Sequence, residues 1–245
     1  MCTLIILRQP ENSWPLLIAS NRDEMLERSF KSPFRHWPDR SQTIGGLDEE
    51  GSGTWLGIND YGVVAAVLNR KNSLGFSNLK RSRGELPLEA LEHEDALTAS
   101  EALQNIDPAS YKPFNLIIAD SQHAFWLCAA NGAESVQKKS IPLGVSMIAD
   151  GDLNDTQNGL RIRKYLPMFK RTPIPNPDNS DWSTWENIMA DTSLNNPIFI
   201  KNKTNFGTVS TSLISMPSLS HYNLKPIWKF HSHLFKQGEY IDIII

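Results

Sequence analysis

The order of patterns along the chain predicts an α+β protein built from antiparallel sheets, with its helices segregated from its strands. Three observations carry that prediction. Short runs rich in β-branched and aromatic residues open the chain, recur in its middle and close it. Helical patterns come as two pairs, within 84–104 and 161–191, and do not alternate with the strands. Turn residues separate neighbouring strand runs by hairpin distances. A four-layer αββα sandwich satisfies this order, and so does a general α+β arrangement; periodicity alone does not separate them.

Taken in order, Thr3 to Arg8 reads as a buried strand, followed by turn chemistry at Pro10-Glu11-Asn12-Ser13. Trp14 to Ser20 is a second apolar run, which makes 3–20 a hairpin. It ends in the polar stretch Ser20-Asn21-Arg22-Asp23-Glu24, expected as a strand-end loop, where rigid scaffolds hold reactive side chains. Gly45-Gly46 and Gly51-Ser52-Gly53 flank a turn-rich segment. Thr54 to Ile58 and Val63 to Leu68 read as strands joined by the turn Asn59-Asp60-Tyr61-Gly62, the second ending at Asn69.

Residues 70–83 are basic, a solvated loop or a phosphate contact. Leu86 to Leu91 and Ala96 to Leu103 follow as helices. Leu116 to Asp120, Ala124 to Ala129 and Leu143 to Ile148 read as strands, the last running into Ala149-Asp150-Gly151-Asp152. Arg161 to Phe169 is a helix with a basic face, and Pro173 to Asp181 an extended linker. Trp182 to Asp191 is a helix with Ser183 as its cap and Glu186 three residues on. Phe206 to Ser215, Ile227 to Phe235 and Tyr240 to Ile245 close the chain as strands.

Bulk properties narrow the function classes. The 245 residues, 40% hydrophobic and 21% charged, describe one ordinary globular domain spanning 1–245. A net charge of −3 gives no electrostatic footprint for nucleic acid or an anionic membrane surface. No apolar run is long enough to span a bilayer, and no secretory leader pattern opens the chain. With Cys2 and Cys128 as the two cysteines, a disulfide framework is excluded and a reducing cytoplasm is the expected compartment. The six histidines have no HExxH spacing, so no metal is expected and no cofactor is implied. His231-Ser232-His233 puts two rings on one strand face, read as a solvated or aromatic-packed pair. Cys128 reads as a small core residue.

Cys2 is the residue with chemistry. A small residue after the initiator methionine generally permits removal of that methionine. The mature chain would then carry a thiol and a free α-amino group, of pKa about 8, on one residue. A nucleophile and its own base would sit together. The plainer alternative is a cysteine with no role at this position.

The residues Met1-Cys2-Thr3, Asn21-Arg22-Asp23-Glu24, Arg28, Gly53-Thr54-Trp55-Leu56-Gly57, Gly62, Val67-Leu68-Asn69 and Phe206-Gly207-Thr208-Val209-Ser210 occur in the order that marks the NRDE family, also called the transport and Golgi organisation protein 2 family. The chain resembles that family over most of its length. The family in turn resembles the N-terminal-nucleophile hydrolases with an N-terminal cysteine, the group of penicillin V acylases and bile salt hydrolases. That resemblance implies the αββα sandwich. It implies Cys2 as nucleophile, Arg22 and Asp23 as its flanking charged pair, and Asn69 as oxyanion donor. Asn21, Glu24, Arg28, Trp55 and Asp150 are the further candidates for contact with substrate, Trp55 equally readable as core.

Two departures stand out. The hydrolases order the cluster Arg-Asn-x-Asp, and this chain has Asn-Arg-Asp-Glu. They carry a second asparagine after a later strand, where this chain has Asp150 or Asp152, and a carboxylate cannot donate to an oxyanion. Two functions follow from the resemblance. One is hydrolysis or transfer at an amide or thioester by Cys2. The other is a binding or trafficking role for haem, acyl-CoA or lipid on the same fold, for which the basic stretch from Arg70 to Arg83 would meet the acyl-CoA phosphates. In both, the partner is a small molecule.

Overall fold

The computed structural model describes residues 2–73, 75, 77, 79–201, 205–221, 223–234 and 238–245. In chain order the strands and helices are β1 (Thr3–Arg8), β2 (Leu16–Met25), β3 (Phe30–Phe34), β4 (Thr43–Asp48), β5 (Leu56–Asn59), β6 (Val64–Asn69), α1 (Glu85–Ala90), α2 (Ala96–Gln104), β7 (Phe114–Ala119), β8 (Ala124–Ala129), β9 (Gln137–Ser140), β10 (Gly144–Ile148), α3 (Leu160–Arg171), α4 (Ser183–Met189), β11 (Phe206–Met216), β12 (Ile227–Ser232) and β13 (Ile241–Ile243). Two compact units divide the chain, one of Met1–Glu27 with Pro142–Ile244 and one of Arg28–Ile141 with Ile245.

The first unit holds a sheet in the order β10-β1-β2-β11-β12-β13, antiparallel throughout. Leu4 to Leu7 and Leu16 to Ala19 are buried without alternation, as strands covered on both faces are. Side chains nevertheless divide by the period of two. Ile5, Leu7, Leu17, Ala19 and Leu213 pack with Ile162, Tyr165, Leu166 and Phe169 of α3 and Trp185, Ile188 and Met189 of α4. The α3 residues stand at i, i+3, i+4 and i+7, the spacing of one helical stripe. Leu4, Ile6, Ile18, Ser20 and Arg22 therefore point away from these helices.

The second unit is a meander, β3 to β9 in sequence order, each strand antiparallel to the next. On one face α1 and α2 bury Leu86, Ala90, Leu91, Ala96, Ala99 and Leu103 against Ala65, Leu116, Ile118 and Leu127.

Several local expectations are corrected. The polar stretch 20–24 is no loop: β2 continues to Met25, because β11 pairs with it as far as Phe206↔Met25. Gly45-Gly46, expected to flank a turn-rich segment, lie inside strand β4, with the turn following at 49–53, and β3 was unforeseen. Pro33 lies in β3, an edge strand, where a missing N–H is tolerated. Ser183 begins α4, and it is Asp181 Oδ1 that accepts from the Ser183 N–H and hydroxyl. Within 173–181 a short 3-10 turn spans Pro177–Asn179. β12 ends at Ser232; Phe235, at the end of the expected strand, lies outside the described residues, as do Met1 and, within the basic stretch, Leu74, Phe76 and Asn78.

Candidate active site

Cys2 stands one residue before β1 and is half-buried. Thr3 pairs with Asn21, so the next step of the same hairpin brings Cys2 beside Arg22 and Asp23. The Asp23 N–H donates to Cys2 Sγ at 3.4 Å, and the thiol donates to the Asp23 carbonyl at 3.6 Å. Burial pushes the thiol above its ordinary pKa, and the Asp23 carboxylate pushes the same way by disfavouring a second negative charge. The thiol of Cys2 is thus placed but not intrinsically acidic.

The Asp23 side chain has no exposed surface. Its Oδ1 accepts from the Thr208 hydroxyl at 2.6 Å, and its Oδ2 from Arg161 Nη1 at 3.2 Å. The same Nη1 donates to Thr3 Oγ1 at 2.8 Å. Thr208 Oγ1 in turn accepts from the Ile200 N–H at 2.9 Å, which leaves its own hydrogen for Asp23. A bulge in β11 makes this possible: Thr208 pairs with Asp23 and Ser210 with Arg22, so Val209 is the extra residue. Without it Thr208 would fall out of phase with the carboxylate.

Asn21 lies on the helix side of β2. Its Nδ2 donates to the carbonyls of Met189 at 2.9 Å and Ile198 at 3.0 Å, and its Oδ1 accepts from Thr211 at 2.7 Å. Arg22, on the opposite side, is 4% exposed and stands 4.0 Å from Glu24. Asp150 comes two residues after Ile148, which pairs with Leu4, so the bend after β10 leaves from the end of the sheet that carries Cys2.

The remaining sequence candidates belong to the other unit. Asn69 ends β6 opposite Phe114, on the side of its sheet shared with Val67 and Ala65. Trp55 precedes β5, meets Phe30 edge-to-face at 5.6 Å and covers Gly46, whose added Cβ would lie 2.2 Å from the indole. Arg28 grips both oxygens of Asp48, at 2.7 and 3.0 Å, and reaches Glu50 at 3.0 Å. In the basic stretch Arg70 donates to Asn115 at 2.7 Å, Arg83 to Ser73 and Pro113, Arg81 pairs with Glu85, and Lys80 donates to the Ala109 carbonyl.

The structure thus brings Cys2 and Asp23 into direct contact and gathers Asn21, Arg22 and Glu24 on the same strand. Sequence reasoning missed Arg161 and Thr208 as partners of Asp23, and Thr3 as the second acceptor of Arg161. One signal was present: a cation at the second position of a helix, where the helix dipole disfavours positive charge. His231 and His233, foreseen as a pair, are packed among aromatics, with Phe199 at 4.8 Å from His233 and Tyr240 at 5.3 Å from His231.

Solved structures share this fold. An ortholog of the N-acylethanolamine-hydrolyzing acid amidase from Caenorhabditis elegans superposes with a TM-score of 0.58 at 14% identity, over 87% of this chain and 92% of that one. A mutant of the conjugated bile acid hydrolase from Clostridium perfringens gives 0.56 at 13%, over 99% and 92%. Penicillin V acylase from Agrobacterium tumefaciens gives 0.58 at 15%, over 99% and 86%. These likenesses show the fold, the α+β sandwich of the N-terminal-nucleophile hydrolases, as the sequence resemblance implied.

In sequence, the chain is 34% identical over 128 residues to the Transport and Golgi organization protein 2 homolog of Bos taurus and 35% over 129 residues to that of Homo sapiens. Each match covers 49% of this chain and 45% of the relative, so the chain spans under half the length of the curated relatives it matches. The family model described as Transport and Golgi organisation 2 matches residues 1–224, and the chain belongs to that family.

Proposed function

We propose that the protein cleaves or transfers an acyl group at an amide or thioester bond, with Cys2 as the nucleophile once Met1 has been removed. The observation that carries this reading is the seating of Cys2 Sγ on the backbone of Asp23, whose buried carboxylate is itself held from two sides. Cys2, one residue before β1, is fastened beside a fixed anion. Solved structures sharing the fold include amide-bond hydrolases by their titles, which supports the same chemistry.

The step balances simply. The freed α-amino group of Cys2 takes the thiol proton as the sulfur attacks the carbonyl carbon. A C–S bond forms, the C–N or C–S bond to the leaving group breaks, and the proton passes to the departing amine or thiol. Water then releases the acyl group as a carboxylic acid. Asp23 accepts a hydrogen bond from the α-ammonium formed in the first half-step. Asn69 is the proposed oxyanion donor, a role resting on the family resemblance. Burial and the Asp23 carboxylate hold the thiol above its ordinary range, and the α-amino group is the base proposed to take its proton.

Intact-mass measurement of the purified protein, followed by incubation with a panel of N-acyl amides and acyl thioesters, tests the reading. Loss of Met1, an acyl adduct on Cys2 and its disappearance in Cys2→Ala are expected. Full turnover by Cys2→Ala, or activity in protein that retains Met1, refutes it. A carboxylate, Asp150 or Asp152, in the region where the resemblance implies an asparagine favours a second reading in which a small molecule such as haem or an acyl-CoA is bound and not cut. A saturable spectral shift on adding haem, with no adduct from any acyl donor, selects it.

A further inference from the structure

We propose that Arg161 and Thr208 are positioning residues for the Cys2 thiol: gripping the two oxygens of Asp23 from α3 and β11, they fix the orientation and the net field of the carboxylate that borders the sulfur. The proposal rests on the reading of Cys2 as the reacting thiol.

Arg161 gains nothing for its own helix. It is the second residue of α3, where the unpaired N–H groups and the dipole oppose a cation. Its guanidinium is only 12% exposed, and a single nitrogen, Nη1, serves both Thr3 and Asp23. That nitrogen therefore ties the first residue of β1 to the third residue of the Asn-Arg-Asp-Glu stretch, across the position where Cys2 sits. Thr208 completes the grip, and a bulge in a long central strand keeps it in phase. Its donor direction is forced, because the Ile200 N–H occupies the hydroxyl oxygen and leaves the hydrogen for Asp23. Both oxygens of a fully buried carboxylate are thus assigned before any substrate arrives.

The consequence for Cys2 is electrostatic. The charges that act on the sulfur are Asp23 and Glu24 of β2, which oppose the thiolate, and the chain's amino group, which favours it; Arg161 of α3 reaches the sulfur through its bond to Asp23. Asp23 opposes formation of the thiolate, and Arg161 offsets part of that opposition from the far side of the same carboxylate. Removing the guanidinium charge leaves a net negative site, so the thiol gives up its proton at higher pH. Removing the Thr208 hydroxyl takes away a neutral donor and acts in the same direction by less.

The test is the rate of iodoacetamide alkylation of Cys2 against pH, read on the Cys2 peptide by mass spectrometry in the full chain, for the parent, R161Q, R161K and T208V. The R161Q midpoint is expected to move up by about one pH unit, T208V by less, and R161K to coincide with the parent because it restores the charge. A global structural role would not distinguish R161Q from R161K in this way. An R161Q profile superimposed on that of the parent overturns the proposal, and so does an R161K profile displaced as far as that of R161Q. Should R161Q fail to fold, T208V decides: a profile identical to the parent's overturns the grip. Failure of the underlying reading registers elsewhere, as a parent protein that forms no acyl adduct and turns nothing over, since alkylation needs no substrate.

Discussion

Asn21 accepts the Thr211 hydroxyl at 2.7 Å across the β2–β11 pair, while its amide nitrogen donates to the carbonyls of Met189 and Ile198. Those two carbonyls fix the amide orientation, so Oδ1 is the atom facing Thr211, and Thr211 must be the donor. The side chain is fully buried and bolts β2 to the end of α4 and to the segment that follows it. Truncation to alanine leaves three buried partners to be satisfied at roughly 1 kcal/mol each, so Asn21→Ala should lose about 2–4 kcal/mol. Thermal unfolding should show a fall in melting temperature of roughly 5–15 °C. An unchanged melting temperature would show that this bolt carries no stability.

The same bond decides the tautomer of His233, whose Nε2 lies 2.8 Å from Thr211 Oγ1. With the Thr211 hydrogen directed at Asn21, the hydroxyl oxygen can only accept, so the neutral ring carries its hydrogen on Nε2. Burial holds His233 down at about 4, with His231 at 4.2 Å adding repulsion between two cations. Burial lowers His231 also. The unfolded chain takes up these protons near the ordinary pKa of about 6.5, whereas the folded chain resists until well below it. Between those limits the unfolded state binds more protons, so stability is fully present above about pH 6.5 and declines as pH falls toward 4. The melting temperature should therefore drop between pH 7 and pH 4.5, and His233→Gln should flatten that drop. A parallel decline in the variant would assign the acid sensitivity to other groups.

In the other unit, Gly46 admits the Trp55 indole, whose ring atoms would lie 2.2 to 2.8 Å from an added Cβ. Gly46→Ala must displace the ring or bend β4, and overpacking of this kind typically costs about 1–3 kcal/mol. Tryptophan fluorescence and the melting temperature should both shift. An alanine variant with parental stability and spectrum would mean that Trp55 moves aside freely, as a residue lining an adaptable pocket does.

These residues show where the sequence was legible. The apolar runs of β1, β6, β7 and β8 and the stripe of α3 declared themselves, because burial and periodicity are local properties. Asn21 to Glu24 did not read as strand, because their polarity is matched by partners far away in sequence: Thr211, Thr208 and Arg161 answer it from 138 residues or more downstream. Gly45-Gly46 did not read as strand for a similar reason, since what demands a missing Cβ there is the approach of Thr54 and Trp55 and not a backbone bend. Cys2 was singled out by its place after the initiator methionine and Asp23 by the family pattern; that they touch through backbone N–H and carbonyl is a property of the β1–β2 register, which the motif does not spell out.

Asp150 supplies the sharpest test of the catalytic reading. It follows β10 at the end of the sheet where Cys2 lies, and the family resemblance implies an asparagine in the region that Asp150 and Asp152 occupy. A carboxylate there repels a developing oxyanion, whereas an amide N–H donates to it. Loss of one such donor typically lowers turnover by a factor of about 10² to 10³. Asp150→Asn should therefore raise acyl transfer by at least tenfold on the best substrate of an amide and thioester panel, through kcat with little change in KM. Equal or lower turnover in Asp150→Asn, with the protein folded and Met1 absent, would mean that this carboxylate is not standing in for an oxyanion donor.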